Sequence, residues 1–208
     1  MNIFKKIGLY YKTLRLAYIS YDSLIDLPEI NNLSFCYKKF CAQSMSRSNS
    51  SSLDIGCGNS PRNPFDADRV YGIDIRENKA KGIKYADLNV EKIPFDDCSF
   101  DYITAYDFLE HVPRLIYAPD RRFPFIELMN EIYRTLKPGG VFFSYTPMYP
   151  FAPAFIDPTH INQITNTTFE KYFDDNSNWA SIYGFKGKFS IAYQARSGHH
   201  LVSILEKV

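Results

Sequence analysis

A surplus of one charge is missing from this sequence: 24 Lys and Arg stand against 23 Asp and Glu, a net of +1. A duplex-DNA binder would show a clear basic excess, which argues against that class. Cysteine is scarce. Cys36, Cys41, Cys57 and Cys98 form no C-x-x-C pair and no zinc spacing, as expected of free thiols in a reducing compartment. A membrane-length apolar run is lacking too. The longest uncharged stretch of apolar character, 138–156, holds Pro138, Pro147, Pro150 and Pro153 with Gly139 and Gly140, which rules out one continuous spanning helix. Lys12 and Arg15 interrupt the run that a signal peptide would need, so the expectation is a cytoplasmic protein with no transmembrane segment. Tryptophan occurs once, against 16 Tyr and 17 Phe. With 208 residues, 45% hydrophobic and 23% charged, the chain is long enough for one domain with a self-sufficient core, plus a small appendage.

The pattern along the chain places that appendage at residues 1–45. Ile3, Ile7, Tyr10, Leu14, Ala17, Tyr21 and Leu24 recur at steps of three and four, the period of a helix. A second helical run follows Pro28, and the Ser-rich stretch Ser44–Ser52 reads as a linker. Lys5, Lys6, Lys12 and Arg15 do not segregate from a clean apolar stripe, which favours a lid or packing role over a membrane anchor. A dimer contact is the other reading. From about residue 46, short β runs begin at Leu53, Val70, Ile83, Phe100 and Val141, then at Phe185 and His200, with a helix over Phe125–Leu136 before Lys137-Pro-Gly-Gly140. Strands alternating with crossovers predict an α/β fold with a mostly parallel sheet, and the short link before His200 predicts a final antiparallel hairpin. The first two crossovers are too short for full helices, so one sheet face should be thinly covered.

The segment Leu53-Asp-Ile-Gly-Cys-Gly58 runs a strand into a Gly-x-Gly turn, where the backbone can approach a ligand closely. Asn59-Ser60-Pro61 follows, so the third glycine of a dinucleotide fingerprint is absent. Asp54 before the turn suits an ammonium group better than a pyrophosphate. Asp74 ends the next strand, where a carboxylate can accept the hydroxyls of a ribose, and Asp87-Leu88-Asn89 ends the third, within reach of an adenine amino group.

On these residues the chain resembles the class I S-adenosylmethionine-dependent methyltransferases. Leu53–Gly58 is similar to the first motif of that family and Tyr71-Gly-Ile-Asp74 to the second. Ala86-Asp87-Leu88 is similar to the third, Ile93–Ala105 to the fourth strand with its lead-in, and Leu128–Gly140 to the helix and turn before strand five. The resemblance implies a Rossmann-like, seven-stranded, mostly parallel sheet with an antiparallel last strand. It implies S-adenosylmethionine as cofactor, held by Asp54, Gly56, Cys57, Gly58, Asp74, Ile75, Asp87, Leu88, Ala105 and Tyr106.

Methyl transfer to a hydroxyl also needs a base near neutrality, for which histidine is suited. Four are present: His111, His160, His199 and His200. The last two begin the final strand and read as structural. If helical, Asp107-Phe-Leu-Glu110-His111 presents Asp107, Glu110 and His111 on one face, as a base or as three ligands. This stretch is similar to a segment of ubiquinone-biosynthesis and small-RNA O-methyltransferases in which such a set is associated with a divalent ion. Asp107 is shorter than the Glu those families carry, Leu-Glu-His also serves as a helix cap, and the reading adopted assigns no metal. Asp157-Pro-Thr-His160 follows strand five after a Pro/aromatic loop, where acceptor-binding residues belong. It resembles a segment of bacterial methyltransferases linked to surface-polysaccharide assembly. His160 is therefore the first candidate base, and the acceptor expected is a small molecule such as a sugar or glycan precursor. The rivals are an O-methyltransferase of small RNA or an aromatic hydroxyl, and a non-catalytic cofactor-binding partner subunit.

Overall fold

The computed structural model describes residues 2–25 and 27–208. Seven strands form one sheet in the order β3-β2-β1-β4-β5-β7-β6. They are β1 (Ser51–Ile55), β2 (Arg69–Asp74), β3 (Ile83–Tyr85), β4 (Phe100–Tyr106), β5 (Leu136–Pro147), β6 (Phe189–Ser197) and β7 (His200–Lys207). β1 to β5 pair in parallel, and β7 pairs antiparallel with both β5 and β6. The chain order reverses between β1 and β4, and in open α/β sheets ligands bind at the carboxyl ends of the strands beside such a switch.

Alternation along the strands gives the sheet two buried faces. Ile103 and Phe142 point to one, which helix α3 (Pro124–Thr135) covers with Leu128, Met129 and Ile132. Its apolar positions recur at helical spacing, and Pro124 opens the first turn where a missing N–H costs nothing. Tyr102, Phe143 and Ile204 point to the other face. No crossover helix lies there, since the residues between β1 and β2 are irregular and only a 3-10 turn (Lys79–Lys81) precedes β3. The thin coverage expected from the short crossovers is made up by two other segments. Helix α2 (Ser34–Phe40) brings Cys36 and Phe40, and the crossover itself inserts Phe65, fully buried and stacked on Tyr102 with ring centroids 5.0 Å apart. The Ser-rich stretch is bound into the same region: Arg47 donates to the Asp101 carbonyl at 2.7 Å and lies over the Tyr102 ring.

Helix α1 spans Ile3–Ile25. The stripe that defines it in the sequence is not buried: Ile3, Ile7, Tyr10 and Leu14 are 47–65% exposed. The side chains of Tyr21 and Leu24, part of the same expected stripe, lie outside the described ones. Among the described residues no helix is long and apolar enough to cross a membrane.

Candidate functional site

The carboxyl end of β1 turns sharply through Gly56 and Gly58, at φ +66° and +61°. A Cβ on Gly56 would lie 2.4 Å from the Phe108 ring, so a side chain is excluded there, whereas the Cβ position of Gly58 faces open space. The Gly58 N–H donates to Asp74 Oδ2 at 2.8 Å, and Asp74 Oδ1 accepts from the backbone and the side chain of Arg76. Asp74 is thus fixed at the end of β2 beside the turn, with acceptor capacity left on Oδ2 for a ligand hydroxyl. Cys57 is tied by its N–H to the Ile73 carbonyl, and burial pushes its thiol up to about 11, which makes it inert packing. Ile75, the next residue after Asp74, is exposed, while Leu88 is buried. Asp87 uses Oδ1 to accept the Asn89 N–H, while Glu91 accepts the Asp87 N–H.

Asp54 sits deeper than the sequence suggests. It is fully buried, with Oδ1 accepting from the Thr104 hydroxyl at 2.7 Å and Oδ2 from the Arg62 N–H at 2.8 Å. Burial is the chief cause of its carboxyl being raised from 3.8 to about 6. Both oxygens are engaged, so Asp54 braces the turn from below. Of the two residues at the end of β4, Ala105 packs with the α3-side core. Tyr106 turns to the opposite face, where its hydroxyl bonds that of Tyr37 at 2.9 Å. The turn, the open Gly58 and the ordered Asp74 fit the ribose-bearing cofactor that the sequence implies.

After β4 the chain departs from expectation. Asp107, Glu110 and His111 do not share a helix face, because Asp107 is in the left-handed region at φ +47° and only a 3-10 turn, Leu109–His111, follows. The Asp107 carboxylate pairs instead with His200 Nε2 at 3.0 Å, and the His200 ring stacks on Tyr145. Asp107 is therefore held by the final hairpin and not on a common helix face with Glu110 and His111.

His160 takes its place. The Glu110 carbonyl accepts the N–H groups of both Ile161 and Asn162 at 2.9 Å, and Asn162 Nδ2 donates to the Leu109 carbonyl. These bonds clamp the Asp157–Gln163 loop onto the 3-10 turn and set the His160 ring edge-on to that of His111, centroids 4.7 Å apart. Glu110, His111 and His160 each place one ligand atom within 4.8 Å of the others. Glu110 is 1% exposed; its Oε2 accepts from Thr146, but Oε1 has no partner and lies 4.0 Å from His160 Nε2. Burial pushes the Glu110 carboxyl up.

Neighbouring groups fix both ring tautomers. A carbonyl can only accept, so the contact of His160 Nδ1 with the Pro153 carbonyl at 3.0 Å makes Nδ1 the protonated nitrogen and leaves the lone pair on Nε2. The Thr159 hydroxyl gives its single proton to Asp157 Oδ1, so toward His111 Nδ1, 2.9 Å away, it accepts. His111 likewise carries its lone pair on Nε2. Thr146, Thr159 and Asn162 escaped the sequence reading. The Asp-x-Thr spacing at 157–159, a local turn in which Asp157 accepts the Thr159 N–H, was the one available signal.

A cavity of about 580 Å³ is walled by Phe123, Phe125, Tyr149, Tyr172, Trp179 and Tyr183, and none of Glu110, His111 and His160 lines it. Arg114 and Gln163, each three residues beyond a cluster histidine, line it as well. Thr165, Thr167, Thr168 and Lys171 complete the polar part of the lining, and aromatic walls with such groups suit a planar ligand that carries polar substituents.

Residues 53–144 match the family model described as a methyltransferase domain. A demethylmenaquinone methyltransferase of Listeria welshimeri is 35% identical over 106 residues, covering 42% of this chain and 41% of that protein. The demethylmenaquinone methyltransferase of Symbiobacterium thermophilum is 27% identical over 155 residues, covering 64% of this chain and 57% of its own. The chain thus spans between two fifths and three fifths of the length of these curated relatives. Solved S-adenosylmethionine-dependent methyltransferases of Archaeoglobus fulgidus and Aquifex aeolicus share the fold. The first is 16% identical with a TM-score of 0.52, covering 83% of this chain and 89% of its own. The second is 16% identical with a TM-score of 0.51, covering 93% and 97%.

Proposed function

We propose, from the match of residues 53–144 to a methyltransferase domain, that the chain is an S-adenosylmethionine-dependent methyltransferase whose acceptor is a hydroxyl-bearing aromatic molecule held in the cavity lined by Arg114, Gln163 and the aromatic walls. This reading implies S-adenosylmethionine, which supplies a methyl group on a sulfonium. This chain's own residues do the rest. Asp74 and the Gly58 turn hold the nucleoside half, and Asp54 fixes the turn from beneath. The aromatic walls orient the acceptor, and because displacement at a methyl is in-line, that positioning is the main catalytic contribution. The acceptor's hydroxyl gives up its proton at the His160 cluster, so that the oxygen can take the methyl, or a ring carbon made electron-rich by it can do so and then lose its own hydrogen as a proton, with one proton returning to the oxygen. The sulfonium then becomes a neutral thioether, and the charge balances.

The aromatic cavity is the observation that carries the acceptor class, and the names of the curated relatives agree with it. A sugar or glycan-precursor hydroxyl is the second reading, favoured by Gln163, Thr165, Thr168 and Lys171 in the cavity lining. Incubation with S-adenosylmethionine and two panels, hydroxylated naphthalenes and nucleotide sugars, separates them by which molecule gains a methyl group. Gain in the sugar panel alone would replace the first reading with the second. Calorimetry with S-adenosylmethionine tests the shared premise, and absence of binding overturns both readings. Asp74→Asn keeps one acceptor oxygen but loses the charge, so the cofactor's Kd should rise about tenfold. An unchanged Kd would remove Asp74 from the site.

A further inference from the structure

We propose that Glu110, His111 and His160 form a site for one divalent transition-metal ion, with His160 in the role that sequence spacing assigned to Asp107. The inference deepens the methyltransferase reading and rests on it only for the ion's use, since the site itself stands on geometry. Glu110 Oε1 is a carboxylate oxygen without a hydrogen-bond partner on a residue 1% exposed. Leaving such an atom unpaired is costly, and a cation is the partner its chemistry asks for. Across 4.0 Å it faces His160 Nε2, which bears a lone pair because its ring partner, Nδ1–H, is spent on the Pro153 carbonyl. At 4.0 Å the gap is too long for a hydrogen bond. Tetrahedral ligands with bonds of about 2.1 Å stand about 3.4 Å apart, so the two atoms would have to close by about 0.6 Å on an ion.

His111 supplies the third donor, and its Nδ1–H is likewise spent on Thr159, which Asp157 holds in turn. Ligand histidines are typically oriented in this way, through the nitrogen that does not bind the metal. Two imidazoles and one carboxylate suit Zn²⁺, Mn²⁺ or Fe²⁺ better than Ca²⁺, which prefers an all-oxygen shell. An acceptor oxygen meeting the ion there would ionise more readily, its proton passing to solvent, and His160 Nε2 would then serve as ligand.

The test is a titration of the metal-stripped full chain with Mn²⁺ and, separately, Zn²⁺, followed by calorimetry. One ion per chain is expected. His160→Gln, His111→Gln and Glu110→Gln should each weaken binding about 100-fold or more. Asp107→Asn should leave the affinity within about twofold. Glu110 is a core residue, so far-ultraviolet circular dichroism and S-adenosylmethionine binding are measured on every variant, and the more exposed His111→Gln keeps the test valid if Glu110→Gln does not fold. No binding to the wild type overturns the site, as does binding indifferent to the histidine substitutions or binding abolished by Asp107→Asn. Cofactor titration is a separate readout, so loss of the methyltransferase reading and loss of the metal site are distinguishable.

Discussion

His160→Ala should lower kcat by about 10²–10⁴-fold while the Kd for S-adenosylmethionine stays within about twofold. The size is that of a positioned group handling a proton in the transition state, and it holds whether the Nε2 lone pair takes the proton or a metal ion. The cofactor is spared because Asp74 and the Gly58 turn lie at the ends of β2 and β1, whereas His160 is carried by the loop beyond β5. Single-turnover kinetics with saturating cofactor isolates the step. A chelator tells the two roles apart in the wild type: activity lost with it assigns the lone pair to a metal ion, and activity kept assigns it to the proton. A normal rate in His160→Ala would return this histidine to the structural role of holding the loop through the Pro153 carbonyl.

The second large effect concerns stability. In the folded chain the Asp54 carboxyl keeps its proton up to about pH 6, against 3.8 for an ordinary aspartate. Between those values the folded state binds more protons than the unfolded one, so Asp54's contribution falls as pH rises through the window. Two pKa units correspond to about 3 kcal/mol. Asp54→Asn removes the titration. Its unfolding free energy relative to wild type should therefore improve by about 3 kcal/mol between pH 4 and pH 7. Urea midpoints of both proteins across that range measure it, and parallel curves would show that Asp54 is solvated. The bonds from Thr104 and Arg62 explain why the acid is tolerated in spite of the cost.

Much of the fold was legible because its signals are local. The apolar runs marked every strand, and the expected helix fell within one residue of α3, but β5 begins at Leu136 and takes in Lys137-Pro-Gly-Gly140, which reads as a turn, and β6 lies four residues later than its apolar run. The Gly-x-Gly turn and Asp74 came together as their positions at strand ends required. What failed was long-range. Spacing grouped Asp107 with Glu110 and His111 on a helix that does not form, because a positive φ at Asp107 and a partner on β7 draw its carboxylate away. Nothing in a run of letters shows that a backbone carbonyl at Glu110 will accept two amides from the Asp157–Gln163 loop. The resemblance puts both Ala105 and Tyr106 beside the cofactor, and period-2 alternation turns their side chains to opposite faces of the sheet. The coverage of that face by α2 depends on contacts between distant segments, which no pattern within either segment encodes.

The clamp at Glu110 also bears on how such a protein can diversify. Its two carbonyl bonds fasten His111 and His160 to each other directly, bypassing the chain between them. Phe123, Tyr149 and other cavity walls are carried on that bypassed stretch. Substitutions there can reshape what enters the cavity while the reacting groups keep their spacing. Changes of acceptor should therefore accumulate in the wall segments, with the chemistry inherited unaltered.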